Sequence, residues 1–162
     1  MSLRTISLLA VAVALALCAT GARAQMPNPY GTPISLENAK KAAQAALAET
    51  HKNNWTMAVA IVNPDGTLIY FEKMDGTQNA SALVAVDKAR GAALFKRPTK
   101  ALQDALAAGG EGWRILGMQG AVPVEGGHPL LEGGKIVGAI GVSGGTSAQD
   151  GQCAKAGADL FP

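Results

Sequence analysis

Hydrophobic positions change their period several times along the chain, and each change predicts an element. Leu36, Ala39, Ala43, Ala46 and Leu47 recur at helical spacing, with Lys40, Lys41, Gln44 and Lys52 mostly elsewhere. Ser35 precedes them as an N-cap, so an amphipathic helix is expected to about Lys52. Met57 to Val62 is a continuous apolar run, Asn63-Pro64-Asp65-Gly66 carries turn residues, and Leu68 to Lys73 resumes as extended chain. This predicts a β-hairpin. A helix capped by Ser81 should run to Leu94, and another from Pro98-Thr99 to Ala107, closed by Gly109-Gly110. Three further strands are expected at Ala121 to Val124, Leu130 to Glu132 and Lys135 to Ser143, the first placed at an edge by Pro123. Ser147 to Asp150 fits a capping box opening a last helix towards Leu160.

The order is helix, two strands, two helices, three strands, helix. Short connections favour antiparallel pairing, so the expected fold is α/β of the α+β kind, with a five-stranded antiparallel sheet flanked by helices. Within it, Val122 to Asp150 is the organising stretch. It holds Gly126-Gly127 before His128-Pro129, Gly144-Gly145 before Thr146, and between them small and branched residues suited to a closely packed central strand.

The ends read differently. Arg4, the apolar run Ile6 to Cys18 and Ala22-Arg23-Ala24 are the parts of a cleaved secretory signal spanning residues 1–24, too short in its apolar core to cross a bilayer. Cys18 follows Leu17, which argues against a lipid anchor. Residues 25–34, with three prolines up to Pro33, are expected as a tether, leaving 35–162 as one domain. The whole chain has 14 basic and 12 acidic residues, for a formal charge of +2. Arg4 and Arg23 lie in the signal, so the mature chain is neutral. Without a Lys/Arg cluster it has no footprint for nucleic acid or an anionic membrane, and a small-molecule partner is expected. Cys153 alone survives processing. It cannot close an intramolecular disulfide, and among alanines it reads as a small buried residue, with a reactive thiol or an intermolecular bridge as alternatives. An alanine-rich helix and an apolar sheet with no disulfide point to a homo-oligomer.

The hairpin AVAIVNPDGTLIYFEKMDG, the segment DKARGAALF and above all GGHPLLEGGKIVGAIGVSGGTSAQD resemble the GlcG/HbpS family, also called haem-degrading or DUF336 domains. The resemblance covers Ser35 to Leu160. It implies a profilin-like fold, frequent oligomerisation and, in several members, binding of haem; a related domain is attached to some corrinoid adenosyltransferases. Asn63 stands where the family commonly has Asp, which puts in doubt any role of that carboxylate. His128 stands where an aliphatic residue is common, and so adds a ligand to the family pattern.

Haem needs an apolar slot, a polar or cationic rim for its propionates and an axial ligand. His128, held between Gly126-Gly127 and Pro129, reads either as such a ligand or as a solvated loop histidine. His51 reads either as a ligand, since some similar domains place a haem histidine on the corresponding helix, or as a charge on a helix C-terminus. Lys88 matches a Lys-Ala pair of the family and, surrounded by Val84, Ala85, Ala89 and Ala92, is expected to meet a carboxylate or propionate. Gly144-Gly145 could offer N–H groups to an anion at a helix N-terminus, or be a tight turn only. Asp150 reads first as a cap. Ser143 completes a G-x-S-x-G pattern, but no histidine follows it as that chemistry requires. Two histidines and one cysteine lack metal-ligand spacing. Two readings follow: an exported haem- or tetrapyrrole-binding protein for sensing, storage or degradation of haem, or a small enzyme acting on a carboxylated metabolite in a cleft of Lys88, His128 and Gly144-Gly145.

Overall fold

The computed structural model describes residues 28–162. The expected signal and its Cys18 lie outside them. Helix α1 is Leu36–Lys52, and strands β1 and β2 are Ala58–Val62 and Leu68–Lys73. Helices α2 and α3 are Ser81–Leu94 and Thr99–Ala107, followed by a 3₁₀ segment at Gly110–Gly117. Strands β3 and β4, Gly127–Glu132 and Lys135–Ser143, lead into α4 at Ser147–Ala158.

The sheet is antiparallel with order β2-β1-β4-β3. It has four strands, not five. Ala121 to Val124 joins no ladder, because its donors are satisfied otherwise: Ala121 N–H bonds the Met118 carbonyl at 3.1 Å and Val124 N–H the Val122 carbonyl at 2.9 Å. Pro123 removes a further donor that a ladder would need. In compensation β3 starts earlier than expected, and His128-Pro129 sits in a strand rather than a loop.

Alternation along β1 explains the two layers. Met57, Val59 and Ile61 face α1 and α4, while Ala58, Ala60 and Val62 face α2. Buried on both faces, β1 had to be a continuous apolar run. The α2 side is almost entirely alanine, with Ala85, Ala89, Ala92 and Ala93 against Ala58, Ala60 and Ala139. Such small side chains bring the helix backbone down onto β4. At Gly141 a Cβ would overlap the Ala85 carbonyl, so the glycine there is required by packing. The β3–β4 turn runs through Gly133 and Gly134 at φ 55° and 73°, the left-handed pair that a two-residue hairpin demands.

Tyr30 to Ile34, the end of the segment expected as a tether, lies along the start of β4. Gly31 and Ile34 N–H groups bond the carbonyls of Ile136 and Val137 at 2.8 Å each, and the Tyr30 hydroxyl bonds the Ala93 carbonyl at 3.1 Å. Backbone pairing of this kind needs few apolar side chains, so the sequence carries little sign of it.

Candidate functional site

The glycine pairs converge on one carboxylate. Lys88 leaves α2 beneath Gly126-Gly127 and places its ammonium 2.6 Å from Asp150 Oδ2 and 3.2 Å from the Val142 carbonyl. The two side chains are 1% and 4% exposed, so the pair is sealed from solvent. From the other side Gly145 N–H donates to Asp150 Oδ1 at 2.9 Å, and Gly144 N–H is directed at the same carboxylate. Burial pushes the Asp150 carboxyl above its ordinary range; the Lys88 ammonium and these N–H groups oppose the shift. The cap reading of Asp150 is thus corrected. The capping box is one residue earlier, with Thr146 as N-cap and Gln149 reaching back to it.

Gly126 is fixed by this knot. It has φ 130°, and a Cβ there would meet the Val142 carbonyl at 2.7 Å and Lys88 Nζ at 2.8 Å. Gly127 lies against the Lys88 backbone, and its N–H donates to Thr99 Oγ1 at 2.9 Å. Lys88 therefore does meet a carboxylate, one supplied by its own chain. The N–H groups of Gly144-Gly145 are likewise turned on Asp150.

The histidines stand apart from this knot. Gly127 faces α2, so His128, the next residue of β3, faces the opposite side, beneath Lys155 of α4 and Asp159 at its C-cap. Burial, and secondly the Lys155 charge, hold its imidazole below the usual 6.5; Asp159 opposes them. It is half-buried and neutral at neutral pH, the form that ligates a metal. His51 is exposed in the last turn of α1. Because α1 lies over β1 and β2 and α4 over β3 and β4, the two histidines belong to different halves of that layer. The expected cleft of Lys88, His128 and Gly144-Gly145 does not exist as one space, since Lys88 and His128 lie on opposite faces of β3.

Ser143 is buried and donates to Ser81 Oγ at 3.3 Å, with no histidine beside it. Ser81 is the first residue of α2 and not its cap, because its hydroxyl is directed inward to this contact. Cys153 is buried 3.3 Å from the Thr50 hydroxyl. Among the described residues no three His, Cys, Asp or Glu side chains are grouped to hold a metal ion, and no helix is long and apolar enough to cross a membrane.

Among the described residues, open grooves of about 500 Å³ include two on the surface. One lies by the C-terminus, between Asn38, Lys41, Glu132 and Phe161. The other lies between α3 and the 3₁₀ segment, floored by Leu102 and Ile115 and flanked by Arg97 and Arg114. Neither is lined by a histidine. The second was not legible beforehand, because the segment forming its wall was expected as a connection.

A four-stranded antiparallel sheet with α2 and α3 on one side, α1 and α4 on the other, and a glycine-bracketed central strand defines a class of small α/β domains. Within that class the chain belongs to the family of haem-degrading HbpS-like proteins, whose pattern matches residues 34–159. Protein GlcG of Escherichia coli K12 is 36% identical over 110 residues, which cover 68% of this chain and 81% of GlcG. Among solved structures, a double mutant of Streptomyces reticuli HbpS aligns with a TM-score of 0.74 at 32% identity, over 82% of this chain and 89% of that one. A complex of PduOC with haem aligns with a TM-score of 0.71 at 25% identity, over 79% and 94%.

Proposed function

We propose that this protein binds haem or a related tetrapyrrole, and that it is exported to do so. The observation that carries the reading is a domain of HbpS-like fold, similar to a haem complex, with a half-buried imidazole kept neutral at His128. A ligand of this kind needs a neutral nitrogen, and His128 and His51 are the two histidines of the chain. The small-enzyme alternative loses its basis, because the general acid/base and the cation assigned to it do not share a cleft. Lys88, Gly126, Gly127, Gly144 and Gly145 act in this reading by fixing the ends of β3 and β4 rather than by touching the ligand.

The test is substitution. Either His128→Ala or His51→Ala, but not both equally, is expected to shift the Soret band and weaken haemin binding. Unchanged spectra and affinity in both variants contradict histidine ligation, and a wild type without saturable Soret change contradicts haem binding itself. Export rests on the signal pattern of residues 1–24. The intact mass of the exported chain is expected to begin at Gln25; a mass retaining a lipidated Cys18 contradicts that.

A further inference from the structure

The groove between α3 and the 3₁₀ segment has the chemistry of a separate carboxylate site. Its floor is apolar and closed, with Leu102 and Ile115 4% and 6% exposed, and Phe95 and Met118 also line it. The α3 wall is Ala101, Ala105 and Ala108, which leaves a flat side. At about 500 Å³ it falls within the roughly 300–1,000 Å³ typical of small-molecule sites.

Two guanidinium groups flank this slot against one carboxylate. Arg97 is exposed and held by its Nε, which donates to the Phe95 carbonyl at 2.9 Å and leaves its terminal nitrogens for another acceptor. Arg114 stands 3.7 Å from Glu111, with both side chains at least 70% exposed. So open a pair holds little, and a carboxylate that also buries an apolar body can displace it. The adjoining segment exposes Trp113, Leu116 and Met118, at 67%, 71% and 42%. Three large apolar side chains so close together are unusual on a surface that nothing covers.

We propose that this groove binds a carboxylated tetrapyrrole by its flat apolar face and its carboxylates, through Arg97 and Arg114, independently of iron and of both histidines. The proposal rests on the haem-related reading and extends it to the iron-free ring. Metal-free protoporphyrin IX, its dimethyl ester and haemin are titrated into the full chain, the R97Q/R114Q variant and the H51A/H128A variant. Circular dichroism checks folding, which two exposed arginines should leave intact. Protoporphyrin IX is expected to bind wild type and H51A/H128A equally, and R97Q/R114Q about ten-fold or more weaker, as for loss of charge-assisted bonds. The ester, lacking carboxylates, is expected to bind wild type as weakly as protoporphyrin IX binds R97Q/R114Q. Equal protoporphyrin affinity in wild type and R97Q/R114Q, or no saturable binding to wild type, overturns the proposal. Haemin binding that depends on a histidine while protoporphyrin ignores the arginines sinks this site and leaves the haem reading. Arginine-dependent binding of both protoporphyrin and haemin that ignores the two histidines keeps this site and removes the histidine-ligated one.

Discussion

His128 occupies a position that is costly for a charge. Its folded-state pKa lies below 6.5, first because the ring is half-buried and then because Lys155 is near. A group depressed in this way contributes stability that is fully present above the unfolded value and lost as pH falls through the folded one. Wild type is therefore expected to lose stability between about pH 7.5 and pH 5, in excess of the loss shown by His128→Gln. Urea denaturation at the two pH values measures it. Equal losses in the two proteins would mean that the ring is not desolvated on folding.

At the scale of elements, one ion pair ties α2 to the start of α4. Lys88 is buried among alanines at 1% exposure, and Asp150 is its partner. Lys88→Met removes the ammonium and leaves the carboxylate buried without it, a change that typically costs about 3–5 kcal/mol. The sign of the pH dependence follows from the carboxyl, which burial already raises above 3.8. Loss of Lys88 raises it further, so the stability of the variant is fullest at low pH and is lost as pH rises through the folded value. The gap between wild type and Lys88→Met is expected to be wider at about pH 7 than at about pH 4.5. A uniform gap would show that the carboxylate finds another partner.

These elements also show what a sequence can and cannot convey. Ser35, the Pro64-Asp65-Gly66 turn and the β1 run carry local signals, and α1, β1 and β2 stand where those signals put them. The non-local features were not legible. Asp150 meets Lys88 across 62 residues, whereas its local pattern resembles a cap. Ala121 to Val124 has strand-like residues, yet its N–H groups bond locally, Ala121 to the Met118 carbonyl and Val124 to that of Val122. His128 looked like a loop residue because Gly127 and Pro129 surround it, but β3 accepts all three at the sheet edge.

For the whole molecule, the apolar surface sets the expectation. Leu83 and Leu94 of α2 are 73% and 47% exposed, a burden that association relieves. We propose a homo-oligomer, and light scattering at micromolar concentration should report a mass above that of one chain. A mass of one chain throughout would count against it.

Haem held in a defined site, as proposed above, differs from adsorbed haem in its stoichiometry and in its dependence on the folded chain. Absorption titration of the purified apoprotein with haemin measures this most directly. The expected result is a Soret change that saturates at a fixed ratio of haem to chain and is abolished when the protein is unfolded in urea. A change that grows without saturation, or that persists in the unfolded chain, would contradict it.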